Sequence, residues 1–245
     1  MVELKMGRES SVGMKVEWKF TIGKEKKPKV IVVSHERSGT HFLINSLAAN
    51  YGYINDPWLD IDHTTLLNPW SPECILDMLM RCKGLNVLNV FKSHHDVGFF
   101  SPILNEVLSE FMILYIWRKD EAALFRSFRK HINEFPWFTG PKVETWRDLV
   151  AAPPHGSLTR YQSQHRKDMG SRWSAHLGGW LVESARHPRI HSLKYEDLDE
   201  NFDQEITKIG VELGLTPAFP IRRPARDVNV IANTGMGGAN DWAIR

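Results

Sequence analysis

The chain has 245 residues, 42% of them hydrophobic and 24% charged, which is enough length to bury one sizeable core. Thirty-one Lys and Arg against twenty-nine Asp and Glu leave a formal charge of +2, so a bulk polyanion binder is excluded and any anion site must be local. The two cysteines, Cys74 and Cys82, lack metal-ligand spacing and fit a reducing compartment. The N-terminus is charged and no apolar run approaches the ~18 residues of a membrane span, so the expectation is a soluble, cytoplasmic protein that binds neither nucleic acid nor membrane.

Residues 1–13 carry no periodic signal and read as a loose tail. Val16, Trp18, Phe20 and Ile22 alternate with polar residues and predict a half-buried strand. After a basic, solvated turn at 24–28, Val30–Val33 is a β-branched run that reads as a buried strand. A polar turn follows, Ser34-His35-Glu36-Arg37-Ser38-Gly39-Thr40, and then a helix start with Phe42, Leu43 and Leu47 on one face, ending near Gly52. Strand, glycine-containing turn and helix start together aim backbone N–H groups and a helix N-terminus at an anion. Arg37 adds a cation, Ser38 and Thr40 add hydroxyls, and Gly39 allows close approach of the backbone. The turn lacks the GxxxxGK[ST] spacing, which disfavours a kinase or ATPase loop of that type.

Residues 53–72 form a long loop rich in Asp, Asn and Pro. Ser71-Pro72 opens a helix with Cys74, Ile75, Met78 and Leu79 on one face, and Val87–Phe91 predicts a strand running into Lys92-Ser93-His94-His95. A helix over Pro102–Phe111 precedes a strand, Met112–Trp117, that ends at Arg118. Asp120-Glu121 begins a helix carrying Ser127 and Phe128, and 135–164 is irregular. Trp173, Leu177, Trp180 and Leu181 give an amphipathic helix, Ile190–Leu193 a short strand, and Phe202, Ile206, Ile209 and Leu213 a last helix closed at Gly214. No linker divides this alternation, so 1–245 reads as one α/β domain of three layers around a mainly parallel sheet. Ligands gather at the carboxyl ends of such strands, where the 34–40 turn, Lys92–His94 and Arg118 all fall.

Arg37-Ser38-Gly39-Thr40-His41-Phe42-Leu43 resembles the 5′-phosphosulfate loop of the sulfotransferases that use 3′-phosphoadenosine 5′-phosphosulfate (PAPS), with Arg for the commoner Lys and Phe for the commoner Trp. The similarity continues in order through Lys92-Ser93-His94, through Met112–Arg118 with Ser127, and through the W-x-x-H-x-x-x-W of Trp173–Trp180. It ends with Leu193–Leu198 (family L-x-Y-E-D-L) and Asn240-Asp241-Trp242 (family G-D-W).

The resemblance implies a P-loop-like three-layer fold, PAPS as cosubstrate with 3′-phosphoadenosine 5′-phosphate (PAP) as product, a small-molecule acceptor and no metal. It implies His94 as catalytic base, with His95 as the alternative, and Lys92 and Arg37 as the cations at the transferring group. Arg37, Ser38, Gly39, Thr40, His41 and Phe42 would bind the cofactor, Phe42 stacking on adenine with Tyr195 nearby. Arg118 and Ser127 would hold the 3′-phosphate. The family serine stands eight residues after the arginine, a position that here is Arg126, so either Ser127 or Arg126 fills it. Gly237 lies in the C-terminal stretch that matches R-K-G-x-x-G-D-W without its Arg and Lys, a gap that Arg222, Arg223 or Arg226 could fill. His35, His41 and His63 read as loop histidines, and Trp58, Phe99, Phe100, Trp137 and Phe138 as candidate acceptor-pocket residues. The dimerisation segment that follows G-D-W in animal cytosolic members is missing, which leaves oligomeric state open. The rival readings are a nucleotide-dependent phosphotransferase on a related fold and a non-catalytic nucleotide-binding relative.

Overall fold

The computed structural model describes the backbone of 2–9 and 15–22, and residues 27–53, 59–62, 71–83, 90–134, 140–156, 158 and 166–224. Val2–Glu9 (β1) and Lys15–Ile22 (β2) pair antiparallel, Val2 opposite Ile22. β1 corrects the expectation of a loose tail. Val2, Leu4 and Met6 alternate over too short a stretch to stand out, and the partner strand supplies the rest.

The main sheet has the order β4-β5-β3-β6-β7 and every pairing in it is parallel. Its strands are β3 (Lys29–Val33), β4 (Leu59–Asp60), β5 (Val90–Ser93), β6 (Phe111–Trp117) and β7 (Ile190–Lys194). β3 is central, and its four consecutive β-branched residues are fully buried because both faces are covered. Val30 and Val32 face α1 (Thr40–Tyr51), α8 (Tyr195–Glu200) and α9 (Phe202–Leu213) through Leu43, Leu198 and Ile206. Ile31 and Val33, one step out of phase, face α2 (Pro72–Cys82), α3 (Val97–Phe100), α4 (Leu104–Glu110) and α7 (Met169–Arg186) through Leu79, Phe100, Val107 and Trp180. A third cluster joins α5 (Glu121–Glu134) to α6 (Trp146–Ala151) through Phe128 and Leu149.

Four local expectations are corrected or extended. The helix expected over Pro102–Phe111 is shorter: after α3, a 3₁₀ turn over Ser101–Ile103 leads into α4, and Phe111 already belongs to β6. Pro102 has no N–H to continue the α3 ladder. Cys74 is exposed, and α2 buries Ile75 and Leu79 instead. The irregular 135–164 stretch contains α6, opened by a capping box in which Thr145 and Asp148 satisfy each other's backbone N–H. Finally, the expected stripe of α7 packs on the core through buried Trp180 and half-buried Trp173, Leu177 and Leu181, but the helix also buries Met169, Arg172 and His176, which widens that face beyond the apolar spacing.

Candidate active site

The turn after β3 contains two left-handed residues, Arg37 at φ 66° and Gly39 at φ 97°. The Ser34 N–H donates to Ser93 O at 3.1 Å, extending the β3–β5 pairing, and the Ser34 and Thr40 hydroxyls meet at 2.5 Å across the loop. Gly39 is the N-cap of α1, so the helix begins with its N–H groups at the turn. Tyr195, the first residue of α8, lies against Gly39, and a Cβ there would sit 2.4 Å from its ring. The Arg118 guanidinium lies over the same ring at 4.8 Å. Glu196 accepts the N–H groups of Lys119 and Asp120 at 3.1 Å, fixing the turn that follows Arg118. The Y-E pair of the β7–α8 junction thereby holds Arg118 in place beside the loop. Among the described residues, Ser38 Oγ and Arg118 Nε are buried without a hydrogen-bond partner. Buried polar atoms of this kind suit an anion that completes them.

A side chain at Gly39 has neither the backbone freedom nor the space. Gly39→Ala is expected to cost about 2 kcal/mol in urea unfolding and to weaken nucleotide binding, since relief requires Tyr195 to leave the loop.

β5 delivers Lys92 and His94 to the same edge. The His94 ring Nδ1 lies 2.8 Å from Ser34 O. A carbonyl only accepts, so the proton sits on Nδ1 and Nε2 carries the lone pair. The His94 N–H donates to both oxygens of Asp62 at 2.8 Å, Ser93 Oγ donates to Asp62 Oδ1 at 3.1 Å, and Lys92 Nζ stands 3.7 Å from Oδ2. His95 is fully buried, stacked on Phe99 at 3.8 Å, with its carbonyl taking the Trp180 indole N–H. Phe99 and Phe100 are likewise core residues.

Beneath the loop lies a polar cluster that the sequence reading missed. Arg172 donates to both Glu36 carboxylate oxygens at 2.7 and 2.6 Å and to His35 Nε2 at 2.8 Å. His35 Nδ1–H is then directed at Glu36 O, 3.1 Å away, and His176 Nδ1 meets the Tyr115 hydroxyl at 3.2 Å. Burial would raise the Glu36 carboxyl, but the Arg172 cation and its hydrogen bonds outweigh it and hold the carboxyl well below its usual range. Burial pushes His35 down to about 4, and it pushes His176 well below an ordinary histidine. His35 is therefore a loop histidine, as expected, but a buried and neutral one.

α5 closes the edge. Arg37 Nε donates to Ser127 Oγ at 3.0 Å, whereas Arg126 is exposed and lies over the Trp146 ring at 5.5 Å. His131, one turn beyond Ser127, is lowered to about 4 by burial and then by the Arg37 and Lys92 cations, whose field it shares. Arg223 pairs with Asp199 and lies over Phe42 and Phe202, and the Arg222 backbone is held by Asn50. Gly237, Arg226, His63, Trp58, Trp137 and Phe138 lie outside the described residues.

The depressed histidines set a stability window. The unfolded chain takes up protons near pH 6.5 and the folded chain only near 4, so stability is intact above the upper value and falls with pH between the two. His35 alone is expected to cost on the order of 3 kcal/mol by pH 4, read as a falling urea midpoint across that window.

The strand ends thus bring Arg37, Lys92, His94 and Arg118 to one edge around the β3 turn, the edge at which parallel α/β sheets gather ligands. Residues 27–219 match the sulfotransferase domain, and the chain belongs to that family. Among solved structures, the fold is shared with the mouse sulfotransferase SULT7A1 complexed with PAP, at 17% identity and a TM-score of 0.53, over 80% of this chain and 61% of the mouse chain. It is also shared with retinol dehydratase in a complex with retinol and PAP, at 15% identity and a TM-score of 0.51, over 87% of this chain and 70% of that one. This chain therefore spans about six-tenths of the mouse enzyme's length. No curated protein matches it. Among the described residues, no helix is long and apolar enough to cross a membrane, and no three His, Cys, Asp or Glu side chains are grouped to hold a metal ion.

Proposed function

We propose that this protein is a sulfotransferase that moves a sulfuryl group from PAPS to a hydroxyl or amine of a small-molecule acceptor, with His94 as general base. The observation that carries this reading is the joining of four strand ends at one edge. Tyr195 bridges Gly39 of the β3 turn and Arg118 of β6, while Ser34 of the same turn holds the His94 ring from β5. Two relatives of the same fold are complexed with PAP, and the partnerless Ser38 Oγ and Arg118 Nε suit a phosphorylated nucleotide.

When bound, PAPS supplies an activated sulfuryl group and leaves as PAP. The remaining work falls to the chain. Ser34 O keeps the His94 proton on Nδ1, so that Nε2 takes the acceptor's proton as that atom attacks. Lys92 and Arg37 offset the charge that builds on the oxygen between sulfate and 5′-phosphate, as fixed cations do in phosphoryl transfer. Arg118 grips the 3′-phosphate, and Ser127, already bonded to Arg37, is better placed for that site than Arg126. Tyr195 lies on the adenine side, and Phe42, expected to stack there, is instead buried behind it at 6.2 Å, with Arg223 over its ring. His41, the second residue of α1, adds its N–H to the loop donors.

The test is transfer of labelled sulfate from PAPS across phenols, steroids, sugars and amines, with ATP and Mg²⁺ as the comparison donor. Transfer from PAPS supports the reading, and ATP-dependent phosphoryl transfer in its place overturns it. Arg118→Ala is expected to weaken PAP binding about 10- to 100-fold and binding of adenosine 5′-monophosphate less than about threefold. Equal losses for the two nucleotides in calorimetry would remove Arg118 from the 3′-phosphate.

A further inference from the structure

Asp62 is fully buried and carries a carboxylate away from the Glu36–Arg172 pair. It lies just past β4, an edge strand of two residues whose Asp60 pairs in register with Lys92. Four groups converge on its carboxylate: the His94 backbone N–H at 2.8 Å, Ser93 Oγ at 3.1 Å, Lys92 Nζ at 3.7 Å and His95 Nε2 at 3.9 Å. Three of them belong to the Lys92–His94 stretch that provides the base and the sulfuryl cation. Resting on the sulfotransferase reading, we propose that Asp62 is a positioning residue, which fixes the His94 backbone and anchors the Lys92 ammonium at the reacting edge.

The physical case has two parts. A lysine side chain exposed by only 7% needs a counter-charge, and Asp62 Oδ2 stands 3.7 Å from its ammonium. An ammonium on four flexible carbons also has many rotamers, and an ion pair at its tip selects among them. The backbone bond acts separately. By accepting the N–H of the residue that follows β5, Asp62 sets where the His94 Cα leaves the sheet, and Ser34 O then orients the ring. Backbone and ring are thus held from opposite sides, by β4 and by β3. Because Asp62 is enclosed, it acts through these neighbours and not on the substrate.

The two parts separate by substitution. Asp62→Asn keeps an oxygen for the His94 N–H and Ser93 Oγ but loses the charge that anchors Lys92. It is expected to lower kcat about 10-fold while the Kd for PAP stays within about twofold. Asp62→Ala loses both supports and is expected to lower kcat about 100-fold. The decisive measurement is a double-mutant cycle with Lys92→Met, reading labelled-sulfate transfer to the best acceptor of the screen, with PAP binding by calorimetry. If Asp62 works through Lys92, Asp62→Asn costs less than about threefold once Lys92 is Met. A further 10-fold fall in the double variant, or a PAP Kd that worsens in step with kcat, marks a merely structural carboxylate and overturns the proposal. Should Asp62→Asn alone fail to fold, Lys92→Met against the double variant, in which both buried charges are gone, carries the same comparison. A wild-type protein that binds no PAP and transfers no sulfate overturns the sulfotransferase reading itself, and this assignment with it.

Discussion

Replacing His94 by Ala is expected to lower sulfuryl transfer by about 10³-fold while leaving the Kd for PAP within about threefold. The reason is geometric. His94 meets the loop through Nδ1 and Ser34 O, so in the proposed reaction its Nε2 lone pair is the one left to serve the acceptor. Loss of a positioned base commonly costs 10²- to 10⁴-fold, and this base is held both at its ring and at its backbone. Labelled-sulfate transfer and calorimetry on the same preparation decide the matter. Equal turnover by wild type and variant removes His94 from the proton transfer. A parallel collapse of PAP binding makes it a loop-holding residue instead.

The second large effect is expected on stability. Arg172→Met leaves the Glu36 carboxylate buried without its bidentate cation, at a cost of about 3–5 kcal/mol in urea unfolding. Glu36 lies in the turn after β3, immediately before Arg37, so its displacement also disturbs that turn. An unpaired carboxylate there would repel phosphate as well. The double variant Glu36→Gln/Arg172→Met removes both charges and is expected to recover more than half of the loss. A single-variant cost below about 1 kcal/mol would mean that water reaches Glu36 and that the pair is not a structural anchor.

How much of this was legible in the sequence follows from the range of the interactions. The β3 turn, the Lys92–His94 strand end and Arg118 could be read because each is a local pattern, a strand stopping at a polar or glycine-containing junction. The parallel sheet then brought them to one edge, as alternation of strands and helices implies. Asp62 could not be read that way. Its neighbourhood is a two-residue strand, and its meaning lies in partners some 31 residues along the chain. Arg172 and Glu36 were hidden for a related reason, since a charged residue on a helix reads as solvated until a buried partner 136 residues away is known. One signal was available. Met169, Arg172, His176 and Trp180 share a helical stripe, and two polar residues in line with a buried tryptophan mark a polar interior. Ser127, as against Arg126, needed three dimensions too, because the choice rests on which side chain reaches Arg37.

The parallel register of the main sheet has a kinetic consequence. β3 joins β5 through residues about 60 positions away, and β6 joins β7 across a comparable gap. Contacts this distant close slowly, since long loops must be ordered before any pairing rewards them. The edge that gathers Arg37, His94 and Arg118 therefore closes late in folding, after the local turns and helices. A fragment ending before Arg118 has the β3 turn and His94 but lacks β7 and Tyr195, the residue that bridges Gly39 and Arg118.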